Sequence, residues 1–417
     1  MLPLVLSLPL TRFATVSEAW WWWCVRISES SGALVIKLAQ WASSRPDLFG
    51  SQVCARFSHL QDQTPTHAWR HTEGALDEAF GGSWREELSL DESPIGSGCI
   101  AQVYRGELRA ADGSRSPVAV KVLHPDVERF VQADMNLLHL VAWAVHCSGR
   151  LRWLNPMGMA DEFSGMLLRQ LDLTLEAGNL RTFTANFAIG SGDPLVFFPV
   201  PIDSYVSPKV LVETFIEGEP LLTWAARTPE DAPVRQGMMN DGIDAFCKML
   251  FTDNFFHGDL HPGNIFVTPS GKLAFLDAGI AVEYTERDHQ MLIEILSRFI
   301  QYDGYGGGLK MLEQTDSQDE VSDAHGFCTK IAEMVFKARA DPTFFDQVGA
   351  HISVICNAAC DHHVLIAQGF ISVALSVKVV EGAVIQVDPE AVVAPRARGV
   401  IMREAIRRKL WRRKSKD

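Results

Sequence analysis

The segment His257-Gly258-Asp259-Leu260-His261-Pro262-Gly263-Asn264 is followed, thirteen residues after Asn264, by Asp277-Ala278-Gly279. The two pieces combine an Asp, an Asn five residues later and a second Asp beyond a spacer. A carboxylate such as Asp259 can accept or orient a proton, and the oxygens of Asn264 and Asp277 can hold Mg²⁺ against ATP phosphates. The spacing therefore predicts a phosphoryl-transfer centre with Asp259 as the catalytic residue and Asn264 and Asp277 as metal ligands.

The stretch between these two motifs reads as a β-hairpin. Ile265 to Leu276 consists of two short apolar runs separated by Thr268-Pro269-Ser270-Gly271-Lys272, which is rich in turn-forming residues. Because a hairpin returns the chain to its starting point, Asn264 and Asp277 are expected side by side. A shared metal site requires this proximity, so the two motifs and the spacer form one unit.

A second group of residues predicts contacts with phosphates. Val118-Ala119-Val120-Lys121 reads as a strand that ends in Lys, and in kinases such a Lys contacts the α- and β-phosphates. The loop Gly96-Ser97-Gly98-Cys99 precedes it by about one hairpin, and its glycines let backbone N–H groups approach an anion. Taken singly, these patterns also fit a buried strand and a plain hairpin turn. The residues predicted to bind nucleotide are Gly96, Ser97, Gly98, Cys99, Lys121, Glu213 and Phe215.

Lys121 needs an acidic partner, and Glu176 is the candidate. A helical pattern over about 159–184 carries both Gln170-Leu171-Asp172 and Glu176, so Asp172 and Glu176 are predicted to share one helix face. The distance of 55 residues from Lys121 to Glu176 predicts at least one additional helix between them. The alternative is that Glu176 is a solvated carboxylate on a helix surface.

The hydrophobic periodicity divides the chain into four segments. They are a helical extension over 1–90, a strand-containing segment with inserted helices over 91–215, a mainly helical segment with the catalytic hairpin over 216–395, and a basic tail over 396–417. Within the third segment, Gly304 to Gly308 is predicted to be a flexible joint.

The composition excludes some functions. The net charge of −13 argues against general nucleic-acid binding. The tail 396–417 is an exception, since ten Lys and Arg residues stand against Glu404 and Asp417. It fits either a solvated helix or attraction to an anionic membrane surface. The sequence contains no run of eighteen or more apolar residues, so no membrane-spanning helix is predicted. The apolar start of the chain matches a transit peptide only weakly.

The eight cysteines are scattered and show no disulfide framework, which suits a reducing compartment. Cys356 and Cys360 lie four residues apart, next to His362 and His363, and these four residues are candidate ligands of a metal ion. Their spacing on one apolar helix face favours buried thiols instead.

Together these motifs resemble the UbiB/ADCK (aarF-domain-containing kinase) family of atypical, protein-kinase-like proteins, over roughly residues 30–390. Lys37-Leu38-Ala39-Gln40 is similar to the KxGQ motif of the family, which lies on an N-terminal extension folded over the active site. Pro94 to Tyr104 is similar to its Ala-rich nucleotide loop, and Gln170 to Glu176 is similar to its ExD helix. Ala39 replaces the Gly of KxGQ, Gln170 replaces the first Glu of ExD, and the nucleotide loop has glycines where many relatives have Ala.

The resemblance implies an α+β, bilobal protein-kinase-like fold with a small mixed N-lobe, a helical C-lobe and an N-terminal helical extension. It implies ATP and Mg²⁺ as cofactors, catalytic roles for Asp259, Lys121 and Glu176, and regulatory roles for Lys37, Gln40 and Asp172. It also implies a role in coenzyme Q or other lipid metabolism at a mitochondrial or plastid inner membrane, with a lipid or quinone-precursor ligand and peripheral membrane association.

Two features bear on the acceptor of the phosphoryl group. Gly258 stands where protein kinases have the Arg that pairs with a phosphorylated activation loop, and a helical pattern begins near Thr285, soon after Gly279. A small molecule, a lipid or water is therefore expected, rather than a protein. The other functions that fit are a non-catalytic, nucleotide-responsive module that stabilises a biosynthetic complex, and a phosphotransferase related to small-molecule kinases.

Overall fold

The computed structural model describes residues 23, 66–110, 112–147, 156–188, 194–229, 232–315, 321–340, 348–366, 368–388 and 394–414. The motif residues Lys37 and Gln40, and most of the predicted N-terminal extension, lie outside them. The chain divides into two compact units, the first of which ends at Leu173 and also includes Ser204–Val212. The second consists of Thr174–Asp203 and the residues from Glu213 onward. The domain boundaries read from the sequence stay predictions.

The described strands are β1 (Leu88–Leu90), β2 (Gly96–Ser97), β3 (Ala101–Arg109), β4 (Arg115–Leu123), β5 (Val196–Phe197), β6 (Pro201–Val206), β7 (Val210–Thr214), β8 (Glu219–Pro220), β9 (Phe255–His257), β10 (Ile265–Val267), β11 (Leu273–Phe275) and β12 (Ala281–Glu283). The described helices are α1 (Trp69–Phe80), α2 (Trp84–Glu87), α3 (Val127–Cys147), α4 (Pro156–Arg169), α5 (Leu173–Ala188), α6 (Leu221–Arg227), α7 (Pro233–Cys247), α8 (Glu286–Ile300), α9 (Gly304–Leu312), α10 (Ala324–Ala340), α11 (Val348–Asp361), α12 (Gln368–Val387) and α13 (Ala394–Lys414). A π-helix spans Lys248–Thr252, and a 3₁₀ turn spans Pro262–Asn264.

The largest sheet has the strand order β1-β3-β4-β7-β6, with β2 beside β3. Strands β3 and β4 form an antiparallel hairpin around a turn at Asp112 and Gly113, and Gly113 has a φ of +85° there. Tyr104, Val118, Val120 and Val122 of this hairpin are almost fully buried. Their burial on alternate residues follows the period of two that strand side chains impose.

Helices α3 and α4 occupy the interval between β4 and α5, as the long spacing from Lys121 to Glu176 predicts. They pack through a small core of Val131, Met135, Phe163 and Leu167. The two helices therefore stabilise each other in the first unit.

The prediction of a single helix over about 159–184 is wrong, because two helices cover this range: α4 ends at Arg169 and α5 begins at Leu173. The N–H groups of Gln170 and Leu171 donate to carbonyls three residues back, and the N–H of Leu173 donates to the Pro208 carbonyl outside the helix. Asp172 thus precedes α5 and does not share a helix face with Glu176. The Pro208 carbonyl thus satisfies an N–H group in the first turn of α5 that has no partner within the helix.

The prediction of a flexible joint at Gly304 to Gly308 is also wrong, because these residues form the first turns of α9. A Cβ added at Gly304 would lie 2.8 Å from the Ala332 Cα, and one at Gly307 would lie 2.3 Å from the Phe299 ring. The glycines therefore permit close packing of α9 against α8 and α10. The side chain of Asp303 caps α9 by accepting from the Gly306 N–H at 2.9 Å.

A buried arginine joins three helices of the second unit. Arg235 on α7 is only 5% exposed, and its guanidinium donates to the carbonyls of Ala225 and Thr228 at the end of α6. It also donates to the Val387 carbonyl at the end of α12, at 2.5 Å. Helix C-termini leave carbonyls without intrahelical donors, and Arg235 supplies donors to two such ends.

The basic tail forms helix α13 through Lys414, and part of it contacts the rest of the second unit. Arg396 pairs with Asp244 at 2.6 Å, and Arg408 pairs with Glu286 at 2.7 Å. Ile401 and Glu404, which lie between them on α13, are buried. At least these two basic residues therefore have structural roles. Among the described residues, no helix has the length and apolar character needed to cross a bilayer.

His289 connects α13 to the π-helix. Its Nε2 donates to the Leu250 carbonyl at 2.8 Å, and its Nδ1 accepts from the Arg408 guanidinium at 2.8 Å. Burial, followed by the positive charge of Arg408, lowers the pKa of His289 from 6.5 to about 4. The ring is therefore neutral at pH 7, as its two hydrogen bonds require.

This lowered pKa predicts an acid-sensitive fold. Between pH 6.5 and 4, the unfolded chain binds a proton at His289 that the folded chain does not bind. The free energy of unfolding should therefore fall as the pH falls through this window, by up to about 1.4 kcal/mol per pH unit from this residue. Urea unfolding of the wild type and of His289→Gln between pH 7.5 and 4.5 measures the effect. The variant keeps an N–H donor and should show the shallower slope; equal slopes would contradict the assignment.

Candidate active site

Strands β9 and β12 pair antiparallel, with His257 opposite Ala281. The Gly258 N–H extends the ladder by donating to the Ile280 carbonyl at 2.9 Å. A Cβ at Gly258 would lie 2.7 Å from Ile280 Cγ2 and 3.2 Å from Val282 Cγ2. Close packing against the strand that follows Asp277-Ala278-Gly279 therefore excludes a side chain at this position.

His257 holds the two motifs together. Its ring is fully buried, its Nε2 donates to the Leu276 carbonyl at 3.1 Å, and its Nδ1 accepts from the Asp259 N–H at 3.1 Å. Burial is the main cause that lowers the pKa of this imidazole. The neutral ring fixes the backbone on both sides of the site, a role that we did not predict for His257 from the sequence.

Asn264 lies at the start of the predicted hairpin, which is confirmed by the antiparallel pairing of β10 with β11. Its side-chain amide donates to the Asp259 carbonyl at 3.1 Å, and its backbone carbonyl accepts from the Leu276 N–H at 2.9 Å. The hairpin thus brings Asn264 next to the residue that precedes Asp277. The amide nitrogen is turned toward Asp259, so the side-chain oxygen is the atom that can bind a cation.

Asp277 has a left-handed backbone with a φ of +51°, which is uncommon for a residue other than Gly. Its exposed carboxylate accepts from the Gly279 N–H at 3.2 Å. Asn179 on α5 donates to the Ala278 carbonyl at 2.8 Å and holds the same loop from the other side. Two hydrogen bonds therefore support this backbone conformation.

Helix α5 also brings Glu176 to this loop. Glu176 is 4% exposed, and a Cβ added at Gly279 would lie 3.6 Å from its Oε2 and 3.1 Å from Asp277 Oδ1. The two carboxylates thus approach the same glycine, and the reading of Glu176 as a solvated surface carboxylate is wrong. Asn179, three residues after Glu176 on the same helix face, was missed in the sequence, although the helical spacing could have suggested it.

The oxygen atoms of Asn264 and Asp277 form a donor set that suits Mg²⁺, which prefers carboxylate and carbonyl oxygens. Among the described residues, no group of three or more His, Cys, Asp or Glu side chains is placed to hold a metal. Cys356 is buried, as predicted, whereas Cys360 is half-buried.

In the first unit, the register of the sheet places Lys121 opposite Val103 and Val103 opposite Gly96. Lys121 and the first glycine of the predicted nucleotide loop therefore belong to one row across three strands, about 10 Å apart. The Gly98 N–H donates to the Ala101 carbonyl at 2.9 Å and closes the loop. Gly96, Ser97 and Lys121 thus belong to one sheet, Gly98 and Cys99 lie in the turn between β2 and β3, and the phosphate-binding role of these residues stays a prediction.

The other predicted residues lie elsewhere. Glu176, Glu213 and Phe215 belong to the second unit, so the Lys121–Glu176 pair and a joint nucleotide site stay predictions. Asp172 belongs to the first unit.

Comparison with known proteins shows which family the sequence matches. Residues 59–306 match the ABC1 atypical kinase-like domain. The chain is 28% identical to the "Probable serine/threonine-protein kinase abkC" of Dictyostelium discoideum, over 93% of this chain and 65% of that protein. It is 28% identical to the "ABC1 family protein C21C3.03, mitochondrial" of Schizosaccharomyces pombe, over 87% of this chain and 62% of that protein. It is 28% identical to the "Probable protein kinase UbiB" of Pseudomonas entomophila, over 76% of this chain and 59% of that protein. The chain thus spans less than two thirds of the length of these relatives.

A solved structure, "The complex structure of Rv3197-erythromycin from Mycobacterium tuberculosis", shares the fold. It aligns with 90% of this chain and 93% of its own chain, at a TM-score of 0.53 and 20% sequence identity. The α+β, protein-kinase-like fold predicted from the sequence is confirmed.

Proposed function

Because the chain belongs to the ABC1 atypical kinase-like family, we propose that it binds ATP with Mg²⁺ and transfers or hydrolyses the terminal phosphate. The observation that carries this proposal is the contact between the Asn264 carbonyl and the Leu276 N–H at 2.9 Å. It brings two oxygen-bearing side chains together at the ends of one short hairpin, next to Asp259. Bound Mg²⁺ would neutralise charge that develops on the phosphates.

Each residue has a distinct role in this proposal. Asn264 and Asp277 would hold the metal ion, and Asp259 would accept or orient the proton of the attacking hydroxyl or water. Lys121 and the loop Gly96-Ser97-Gly98-Cys99 would contact the phosphates, with Glu176 positioning Lys121. His257 and Asn179 would act indirectly, through the backbones that they hold.

The structure favours an acceptor that is small, a lipid or water. Only residues 280–285 separate Gly279 from helix α8, and Ala281–Glu283 of these are paired in the ladder with β9. This segment is too short to form the platform on which protein kinases dock a peptide. Gly258 also leaves no room for the Arg through which a phosphorylated loop is sensed.

The cellular role that we propose is support of coenzyme Q or other lipid metabolism in the mitochondrion. The resemblance to the UbiB/ADCK family supports the metabolic role, and the name of the fission-yeast relative, which calls that protein mitochondrial, supports the organelle. A lipid or quinone-precursor ligand and peripheral membrane association belong to the same proposal.

The phosphate-binding half of the proposal predicts graded effects of two substitutions. Lys121→Ala should weaken ATP binding by about tenfold or more, because a positive charge next to the phosphates is lost. Glu176→Gln should weaken it less, since the amide still accepts a hydrogen bond. Calorimetric titration of each purified variant with MgATP provides the measurement, and wild-type affinity in both variants would refute the role of Lys121.

Turnover decides between an enzyme and a nucleotide-responsive module. Tight MgATP binding together with steady release of ADP supports the enzyme. Tight binding without turnover, for any lipid or small-molecule acceptor offered, supports the non-catalytic module.

A further inference from the structure

A chain of hydrogen bonds runs behind the predicted nucleotide loop, inside the first unit. Its members, in spatial order, are Gln102, Tyr104, Thr72, His67, His124 and Gly98. The Gln102 amide nitrogen contacts the Tyr104 hydroxyl, which lies 2.6 Å from the Thr72 hydroxyl. Thr72 lies 2.8 Å from His67 Nε2, and His67 Nδ1 lies 2.7 Å from His124 Nδ1. His124 Nε2 lies 2.8 Å from the Gly98 carbonyl oxygen.

The donor and acceptor roles in this series of hydrogen bonds can be assigned from its Gln102 end. The His67 backbone N–H donates to Gln102 Oε1 at 3.0 Å, which orients the amide so that its nitrogen faces Tyr104. That nitrogen can only donate, so the Tyr104 oxygen accepts and its own proton goes to Thr72. Thr72 in turn donates to His67 Nε2. Gln102, Tyr104 and Thr72 are completely buried, so each of these groups depends on protein partners.

The Gly98 end leads to donor and acceptor roles that agree with this assignment. A carbonyl oxygen can only accept, so His124 must carry its proton on Nε2. Its Nδ1 then accepts from the Nδ1–H of His67, whose Nε2 is already an acceptor for Thr72. The two neutral imidazoles therefore have opposite tautomers, with the proton on Nδ1 in His67 and on Nε2 in His124. An additional proton on His124 would place two donors face to face, and one on His67 would force the Thr72 hydroxyl to reverse its direction.

His124 connects to the loop at two points. Its backbone N–H donates to the Ile100 carbonyl at 2.8 Å, and its side chain donates to the Gly98 carbonyl. The Gly98 N–H donates to the Ala101 carbonyl, so both backbone groups of Gly98 are engaged. The loop is thus held in one conformation before any ligand binds, and this lowers the entropic cost of binding.

We infer that His124, oriented by His67, is a positioning residue that preorganises the loop Gly96-Ser97-Gly98-Cys99 for a nucleotide phosphate. The inference rests on the proposed function, since it supposes that this loop binds nucleotide. It adds two residues that lie outside the predicted site, and it assigns each of them a defined protonation state.

The groups that face the His67 ring support its assigned state. His67 is faced by His124 at the end of β4, by His71 and Thr72 on α1, and by Gln102 of β3. Burial, followed by the proximity of His124 and His71, lowers the pKa of His67 to about 4. His67 is therefore neutral at physiological pH.

The first test measures tautomers in the wild-type protein. In histidine-labelled samples, long-range ¹⁵N–¹H correlations report which ring nitrogen carries the proton, and His67→Gln and His124→Gln variants assign the signals. The expected result is an Nδ1–H tautomer for His67 and an Nε2–H tautomer for His124. The same tautomer in both rings, or a charged ring at pH 7, would overturn the inference, and this result does not depend on nucleotide binding.

The second test measures nucleotide affinity. His124→Leu should raise the dissociation constant for MgATP by about tenfold, because one hydrogen bond that orders the loop is lost. His124→Gln keeps an N–H donor near the position of Nε2 and should remain much closer to the wild type. The matched control is His139→Leu on α3, whose ring contacts Ser164 and Asp161 and lies outside the chain of hydrogen bonds, and which should leave the affinity unchanged.

The two outcomes separate the inference from the proposed function. Unchanged affinity in His124→Leu, or no rescue by His124→Gln, would overturn the positioning role while nucleotide binding stands. A wild-type protein that shows the expected tautomers but binds no nucleotide would overturn the proposed function and the positioning role with it. If His124→Leu does not fold, the tautomer measurement and the comparison of His124→Gln with the wild type still test the positioning role of His124.

Discussion

Replacing Asp277 by Asn is expected to abolish the stabilisation of the protein by MgATP. Asp277 provides the carboxylate of the proposed metal site, and an amide is a much poorer ligand for Mg²⁺. The backbone should tolerate the change, because Asn also adopts the left-handed conformation found at residue 277 and can accept from the Gly279 N–H. Loss of function should therefore occur without loss of fold.

Thermal unfolding with and without MgATP measures this effect, with turnover recorded in parallel. Asp259→Asn is the matched control: it should retain the stabilisation by MgATP and lose turnover by about 10²–10⁴-fold, as expected for a proton acceptor. If Asp277→Asn keeps the full thermal shift, the assignment of the metal site is wrong. If both variants keep wild-type turnover, the phosphoryl-transfer centre lies elsewhere.

Replacing Arg235 by Met is expected to produce the largest loss of stability. Met fills a similar length but cannot donate to the carbonyls of Ala225, Thr228 and Val387, all of which Arg235 contacts. A buried acceptor left without a donor costs about 1–3 kcal/mol, so the free energy of unfolding should fall by roughly 3 kcal/mol or more. Urea denaturation provides the measurement.

Arg227→Met is the matched control for this substitution. Arg227 is 64% exposed and pairs with Glu219 at the surface, where such a pair contributes about 0–1 kcal/mol. An equal loss of stability in the two variants would contradict the stabilising role of the three carbonyl contacts of Arg235.

The parts of the fold that could be predicted depend on local sequence. The hairpin between Asn264 and Asp277 was recognisable because the Thr268-Pro269-Ser270-Gly271-Lys272 turn lies between two apolar runs, and Gly271 adopts a φ of +75° as such a turn requires. The family resemblance, which rested on motifs of the same local kind, is confirmed by the match over residues 59–306.

The parts that were missed depend on residues far apart in the chain. Gly304 to Gly308 looked flexible in isolation, and only the proximity of Phe299 and Ala332 shows that the glycines serve helix packing. The Leu173 N–H at the start of α5 finds its acceptor at Pro208, and His67 meets His124 across 57 residues. No local pattern contains this information.

The ladder formed by β9 and β12 also fixes the spacing of the two acidic residues of the proposed site. The strand that leads into Asp259 and the strand that leaves Asp277-Ala278-Gly279 are paired, and Gly258 contacts Ile280 without an intervening side chain. In such an arrangement the two acidic residues cannot be separated without unzipping the strands. The fold therefore sets this spacing before any ligand arrives, and the binding of a nucleotide need not assemble this part of the proposed site.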